Sequence, residues 1–324
     1  MRLIYMGTPA FALAPLRALT ASRHQVVAVV TGQDKPAGRG RQLRPTAVKE
    51  LATSLGTPVL TPVKLGDAAF VESLRKFDAD AFVIIAFRVL PESVFAVPRH
   101  GAINAHASLL PRYRGAAPIN WAIMNGETET GVTTFRIQRS VDTGDMLLQE
   151  KTPIGASESA SELSARLSEM AARLVARTLD GLEDGTLKSQ PQDGTQATPA
   201  PKLTRETQVI DWTRPAHAIF NQVRGLAETP SAVTGFRGSA IKILAVSPVA
   251  KNNPSAPLAN LAPGEIIVER GCVVVGTGDG TLSLARVRPM AKSDMSGQDF
   301  SNGYRLRSGE RFMTPPGDVI ETVS

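Results

Sequence analysis

Residues 2–19, RLIYMGTPAFALAPLRAL, combine a short apolar run, a Gly-Thr-Pro turn and a helical pattern. Similar short runs, rich in apolar or β-branched residues, recur at 26–31, 58–60, 81–86 and 103–107. Helical patterns separate most of these runs from one another. Strands that alternate with helices predict a parallel sheet that is covered by helices on both faces.

The middle of the chain departs from this alternation. Residues 131–137 and 146–154 predict a pair of strands that is joined through the turn Val141-Asp142-Thr143-Gly144. Residues 185–205 are rich in Pro, Gly, Thr and Gln and hold no long apolar run, which predicts a linker. Beyond it, a predicted helix at 215–224 precedes short β-like runs separated by turns, a pattern typical of a small barrel or sandwich.

Length and composition agree with two folded parts. A chain of 324 residues exceeds the usual size of a single core, so we expect a domain over 1–188, a linker over 189–206 and a second domain over 207–324. Lys and Arg number 36 against 30 Asp and Glu, an excess that permits an anionic partner without requiring one.

Cysteine usage and hydropathy bear on the compartment. The single cysteine, Cys272, excludes an intrachain disulfide and agrees with a reducing compartment, and its apolar neighbours predict a buried strand position. The first residues lack the long apolar stretch of a signal peptide, and no segment approaches the roughly 20 apolar residues of a membrane helix. We therefore expect a cytoplasmic protein that does not bind membranes.

The densest polar cluster of the first half lies in the run GAINAHASLLP at residues 101–111. Side chains alternate along a strand, so Asn104 and His106 share one face. Burying both groups without partners would cost several kcal/mol, on the order of 2–7 for each unpaired group. At the carboxyl end of a parallel strand, a polar cleft is the better expectation.

A second polar feature, Asp142, follows in the predicted turn. Taken alone, it is as well explained by a carboxylate that caps the turn. Together with Asn104 and His106 it is more specific, because a carboxylate orients an imidazole while an amide and an imidazole stabilise an oxyanion. This set suits acyl transfer without a protein nucleophile. A metal site is disfavoured, since no Cys pair and no spaced His pair supplies further ligands.

Basic residues are concentrated in the segment Lys35-Pro36-Ala37-Gly38-Arg39-Gly40-Arg41-Gln42-Leu43-Arg44. The composition fits a solvated surface loop equally well as a loop that phosphates order through forked arginine contacts. A dinucleotide-binding loop is disfavoured, because residues 7–11 lack the glycine triad of that fingerprint.

Several motifs together resemble the methionyl-tRNA formyltransferase family. The central ones are HASLLPRYRGAAPINWAIMNGETETGV at 106–132 and SVDTGDML at 140–147, which other folate-dependent formyltransferases share in part. The likeness extends along nearly the whole chain through the motifs MGTPAFA at 6–12, DKPAGRGRQL at 34–43, IDW at 210–212 and NGYRLRSGERF at 302–312.

The resemblance implies an α/β fold: a Rossmann-like formyltransferase domain with a mostly parallel sheet, followed by an OB-like β-barrel that binds tRNA. It implies that 10-formyltetrahydrofolate donates the formyl group and that initiator methionyl-tRNA accepts it. We also expect that the protein uses no metal and is a monomer. The implied catalytic trio is Asn104, His106 and Asp142. The residues implied to line the folate site are Ser108, Leu109, Leu110, Pro111, Phe87 and Leu90. The implied tRNA contacts are Lys35, Arg39, Arg41 and Arg44, with Arg39 foremost.

The C-terminal half adds a set of cations that could collectively hold the tRNA backbone. They are Lys242, Arg286, Arg288, Lys292, Arg305, Arg307 and Arg311. Two other functions stay open at this stage. The same trio could formylate a sugar nucleotide or a ribonucleotide amine, or the chain could be a catalytically silent RNA-binding protein. The basic segment argues against the first alternative, and the intact trio argues against the second.

Overall fold

The computed structural model describes residues 1–37, 42–227, 229–249, 261–269 and 271–315. The chain divides into two compact units. The first unit comprises Met1–Pro118, Glu129–Pro153 and Ser164–Pro201, and the second comprises Ile119–Thr128, Ile154–Leu163 and Lys202–Ser324. Among the described residues, no helix is long and apolar enough to cross a membrane.

Strands and helices alternate through the first part of the chain, and strands dominate its last third. The strands are β1 (Arg2–Gly7), β2 (Gln25–Val30), β3 (Lys35–Ala37), β4 (Gln42–Arg44), β5 (Val59–Leu60), β6 (Ala81–Ile85), β7 (Ala102–His106), β8 (Arg114–Gly115), β9 (Glu129–Arg136), β10 (Met146–Pro153), β11 (Pro199–Ala200), β12 (Ala232–Phe236), β13 (Ser239–Pro248), β14 (Ile266–Glu269), β15 (Cys272–Gly276), β16 (Thr281–Pro289) and β17 (Met295–Ser296). The α-helices are α1 (Leu13–Thr20), α2 (Ala47–Ser54), α3 (Ala68–Arg75), α4 (Glu92–Phe95), α5 (Pro118–Met124), α6 (Ala160–Glu183), α7 (Arg205–Gln208), α8 (Ala216–Leu226) and α9 (Gly297–Tyr304).

The first unit is built on a seven-stranded sheet in the order β10-β9-β7-β6-β1-β2-β5. Strands β5, β2, β1, β6 and β7 pair in parallel, whereas β9 pairs antiparallel with both β7 and β10. The central strands β1 and β6 are apolar and almost entirely buried, as expected for a sheet covered on both faces. The predicted parallel sheet and the predicted pair of strands are both confirmed, and the structure places that pair at one side of the sheet.

The segment predicted as a linker continues the first unit as far as Pro201. Strand β11 pairs in parallel with β8, and Gln190 forms a bridge with Met146 at the start of β10. These backbone pairs fix the segment in place despite its linker-like composition.

The second unit contains the antiparallel sheet β12-β13-β16-β15-β14, with β17 paired to β16. The segment that follows α9 forms backbone hydrogen bonds with both edges of this sheet, at β12 and beside β14. Met313 exchanges backbone hydrogen bonds with Gly235 of β12, and Phe312 donates to the carbonyl of Gly264 beside β14. The sheet therefore closes on itself, as the predicted OB-like barrel requires. Trp212 stacks on Phe312 inside the barrel, with ring centroids 5.5 Å apart.

One expectation for this unit is wrong. Cys272, predicted to be buried, is exposed. It occupies the first position of β15, where its apolar followers Val273, Val274 and Val275 enter the core but the strand end itself still reaches solvent.

Candidate active site

Strand β7 brings Asn104 and His106 to the carboxyl end of the parallel sheet. Asn104 lies beside Ile84 of β6 and Phe135 of β9, and His106 lies opposite Thr133. The two side chains are two residues apart, so they project from the same face of the strand. His106 is buried, with 7 % of its surface exposed, while Asn104 is half-buried. The predicted polar pair is therefore present, on one face of an interior strand towards its carboxyl end.

The imidazole of His106 is fixed by a main-chain carbonyl. Its Nε2 atom lies 2.7 Å from the carbonyl oxygen of Tyr113. A carbonyl oxygen only accepts hydrogen bonds, so Nε2 must carry the hydrogen and donate it. The other ring nitrogen, Nδ1, then faces Asp142, whose Oδ2 lies 3.7 Å away. That distance is too long for a direct hydrogen bond, so the carboxylate is a close neighbour of the ring rather than its hydrogen-bond partner.

Asp142 is held by a segment other than its own turn. Its Oδ2 accepts a hydrogen bond of 2.9 Å from the backbone N–H of Gly115. The residue has a φ of 55°, in the left-handed region, and its side chain is 9 % exposed. The turn also needs Gly144, because an added Cβ there would lie 1.6 Å from the carbonyl oxygen of Arg136. The structure thus places the carboxylate within reach of His106.

Sequence reasoning missed three residues that hold this arrangement. Tyr113 supplies the carbonyl for His106, and Gly115 supplies the amide for Asp142. Gln192 donates from Nε2 to the carbonyl oxygens of Asp142 and Gly144, at 2.9 and 2.8 Å. Tyr113 and Gly115 stand inside the motif YRG at 113–115, so the motif marked their position without revealing their role.

The segment 108–111, expected to line a folate site, is bonded to strand β9. Thr133 donates from its hydroxyl to the carbonyl of Ser108 at 2.7 Å and accepts from the N–H of Leu110 at 3.1 Å. Ser108 and Leu110 are buried, whereas Leu109 and Pro111 are half-buried. The backbone beside His106 is therefore held in one conformation.

The two other residues expected at the folate site follow β6. Leu90 is buried in the apolar core on one face of the sheet, and Phe87 packs half-buried against the same core. Between them, Arg88 donates to the carbonyl oxygens of Pro62 and Val63, at 2.9 and 3.0 Å.

The basic segment forms a hairpin over its described part. Strands β3 and β4 pair antiparallel, with Lys35 opposite Arg44, and both side chains are exposed. Lys49 makes an ion pair of 2.8 Å with Asp34 at the base of the hairpin. Arg39 and Arg41 lie outside the described residues. The arms of the segment are thus a two-stranded ladder rather than the loop expected from composition.

The second unit places two cations directly opposite each other. Lys242 of β13 is the register partner of Arg288 on β16. The pKa of Lys242 is lowered, first by burial and then by the positive charge of Arg288. Arg288 also forms an ion pair with Asp294. Like charges at facing positions destabilise a sheet, and the ion pair with Asp294 offsets this effect in part. The other cations proposed for this surface are exposed, namely Arg286, Lys292, Arg305, Arg307 and Arg311.

One group among the described residues has the composition of a metal site: His24, Asp180 and Glu183. Its two carboxylates already form ion pairs with cationic groups of the protein. Arg23 lies 2.6 Å from Asp180, and the amino group of Met1 lies 2.8 Å from Glu183. A cation would have to displace these partners, so the donor set does not fit a metal ion.

Comparisons with known proteins agree with this architecture. Residues 1–179 match the formyl transferase family model, and residues 202–305 match the formyl transferase C-terminal domain. The methionyl-tRNA formyltransferase of Solibacter usitatus (strain Ellin6076) is 44 % identical over 312 residues, which cover 96 % of this chain and 98 % of the relative.

Two solved structures are similar in fold. HypX from Aquifex aeolicus in complex with tetrahydrofolic acid has a TM-score of 0.63 at 18 % identity, and the match covers 96 % of this chain but only 48 % of HypX. The methionyl-tRNA formyltransferase from Clostridium thermocellum has a TM-score of 0.53 at 16 % identity, with 78 % of this chain and 95 % of that chain covered.

Proposed function

This chain belongs to the methionyl-tRNA formyltransferase family, and from that premise we propose that it formylates the methionine carried by initiator tRNA. The donor is 10-formyltetrahydrofolate, and the product, formyl-methionyl-tRNA, serves translation initiation. The enzyme works in the cytoplasm as a monomer and without a metal. We place the catalytic domain over residues 1–188 and the tRNA-binding domain over 207–324, joined by residues 189–206, most of which pack with the first unit.

The observation that carries the catalytic proposal is the environment of His106. The imidazole is buried, one of its nitrogens is engaged by Tyr113, and the other faces a carboxylate at 3.7 Å. Asn104 projects from the same face of β7. An amide and an imidazole side by side can donate hydrogen bonds to an oxygen that gains negative charge during acyl transfer.

The reaction follows from these positions. The unprotonated methionyl amine attacks the formyl carbon, and the formyl oxygen becomes an oxyanion. Asn104 donates to that oxyanion through its amide, and His106 donates through Nδ1 when the ring is protonated. Asp142 stabilises the positive ring and relays the proton that the amine loses. The bond from the formyl carbon to N10 of the folate then breaks, and N10 takes up the proton. Holding both substrates in one geometry contributes as much as proton transfer.

The folate is proposed to lie against the segment Ser108–Leu109–Leu110–Pro111, with Phe87 and Leu90 on the neighbouring strand end. Support comes from the hydrogen bonds of Thr133, which hold the backbone of this segment beside His106. A rigid wall of apolar side chains and main-chain groups is the usual form of a site for a small aromatic ligand.

The tRNA is proposed to contact two basic surfaces. The first is the hairpin with Lys35 and Arg44, together with Arg39 and Arg41. The second is the facing pair of Lys242 and Arg288 in the barrel, where phosphate would relieve the repulsion between two cations.

A formylation assay tests the proposal. The purified protein is given 10-formyltetrahydrofolate and, in separate reactions, initiator methionyl-tRNA, an amino-sugar nucleotide and a ribonucleotide amine. We expect formyl transfer to the methionyl-tRNA alone. Transfer to either small amine with the tRNA untouched would contradict the proposed substrate, and tight tRNA binding without turnover would indicate the RNA-binding alternative.

A further inference from the structure

Residues 190–200, termed here the positioning segment, form hydrogen bonds with both of the segments that face the ring nitrogens of His106. Thr198 accepts a hydrogen bond of 2.9 Å from the N–H of Tyr113, whose carbonyl binds His106. Gln192 donates to the carbonyls of the turn that carries Asp142. A backbone bridge between Gln190 and Met146 closes the same turn on its far side, with N–O distances of 2.7 and 2.8 Å.

Gln192 uses its full hydrogen-bonding capacity in these contacts. Its Nε2 donates to the carbonyl oxygens of Asp142 and Gly144, and its Oε1 accepts from Nε and Nη2 of Arg114 at 3.1 and 2.7 Å. Carbonyls only accept and guanidinium only donates, so the orientation of the amide is fixed by chemistry. Among side chains of this length, glutamine alone offers two donors and an acceptor oxygen to these partners.

We propose that Gln192 is a positioning residue of the enzyme that sets the distance between Asp142 and His106. Its amide joins the turn at Asp142 to Arg114, which follows Tyr113 directly along the chain. The two groups that face opposite nitrogens of His106 are therefore tied to one another through a single side chain. This inference rests on the proposed catalytic role of Asp142.

The test compares Gln192→Glu with Gln196→Glu. The first change keeps the side-chain size and the contact with Arg114 but removes both donors to the turn. The second adds the same charge in the same segment, at an exposed residue whose amide donates to Asp193. We expect kcat for methionyl-tRNA formylation to fall about 10- to 100-fold in Gln192→Glu, the range for a misplaced catalytic group. KM for the tRNA should match that of Gln196→Glu, whereas the thermal midpoint should be lower in Gln192→Glu, because a carboxylate would face the carbonyls of Asp142 and Gly144.

Combination with Asp142→Asn separates positioning from a general loss of structure. If Gln192 acts through Asp142, adding Gln192→Glu to Asp142→Asn should lower kcat by less than about threefold. A full additional loss in the double variant, or an unchanged kcat in Gln192→Glu, would overturn the inference. An unchanged kcat in Asp142→Asn alone would instead contradict the proposed mechanism.

A second variant covers the case in which Gln192→Glu does not fold. Arg114→Lys keeps the donors of Gln192 to the turn but removes the two-pronged contact with its oxygen. We expect a smaller fall in kcat, of about three- to tenfold, that again disappears in the Asp142→Asn background. A fall that persists in that background would count against the inference.

Discussion

The surroundings of His106 and of Lys242 differ in the partners that they offer to polar side chains. At His106, carbonyl, carboxylate, amide and glutamine groups from separate segments converge, and the contacts fix each group in one place. At Lys242, burial and then the positive charge of Arg288 on the neighbouring strand lower the pKa of the lysine. The first arrangement suits a reaction that needs fixed geometry. The second is a basic surface, already in part neutralised by Asp294, that can attract a polyanion without fixing its geometry.

The largest expected effect comes from His106→Ala. The loss of the imidazole removes an oxyanion donor and the group that Asp142 faces, so we expect kcat to fall by about 10³-fold or more. Binding of methionyl-tRNA should stay within about twofold of the wild type, a margin well below tenfold in affinity. His217→Ala, at an exposed histidine, serves as the control. If His106→Ala kept more than a tenth of the wild-type kcat, the proposed role of His106 in catalysis would be wrong.

Gly144→Ala should follow, since it moves the turn of Asp142 without touching a proposed catalytic side chain. The added methyl would overlap the carbonyl of Arg136, so we expect the free energy of unfolding to fall by about 1–3 kcal/mol and kcat to fall with it. Gly194→Ala provides the comparison, because open space surrounds that position. Chemical denaturation and the formylation assay measure the two effects, and wild-type values for both would show that the turn tolerates displacement.

Lys242→Gln should affect tRNA binding and leave the chemical step alone. We expect KM for the tRNA to rise several-fold, and the slope of log affinity against log salt to become shallower by about one. Lys151→Gln removes the same charge from the first unit and should not change that slope. A lowered kcat with unchanged KM would indicate that Lys242 acts in catalysis, and would contradict its assignment to tRNA binding.

The smallest effect concerns stability and pH. Because the pKa of Lys242 is lowered in the folded protein, its charge destabilises the fold at neutral pH, and this penalty vanishes once the pH exceeds the ordinary lysine value. Relative to Lys242→Gln, the wild type should therefore gain stability as pH rises toward that value, by less than about 1 kcal/mol. Denaturation curves of both proteins at pH 7 and pH 10 measure the difference. If the wild type lost stability relative to the variant over this range, the pKa of Lys242 would be raised on folding, contrary to expectation.

The sequence was sufficient to predict the sheet and the side chains along one strand. The apolar runs of β1 and β6 are buried on both faces, so their composition alone reports their place in a parallel sheet. Asn104 and His106 share a face because strand periodicity is a local property. Short β-like runs between turns left a barrel and a sandwich open, and only the family resemblance favoured the barrel; the closing bridges of Arg311 and Met313 were not foreseen.

The rest of the site depends on contacts that no local pattern carries. Tyr113 acts through its carbonyl and has a φ of 60°, so its side chain gives no sign of its role. Gln192 lies in a stretch whose Pro, Gly and Thr content indicates a linker, yet backbone pairing with β8 and Met146 holds it beside Asp142. Exposure at strand ends, as for Cys272, likewise depends on where neighbouring strands stop.

Asn104→Ala offers the most direct test of the central claim, that a pair of donors at the end of β7 stabilises the oxyanion. The rate of one formyl transfer is measured with enzyme in excess over methionyl-tRNA and with saturating 10-formyltetrahydrofolate. A loss of about 10²- to 10³-fold in that rate, with unchanged affinity for both substrates, is the predicted result. A variant that folds, binds both substrates and transfers the formyl group at the wild-type rate would contradict it.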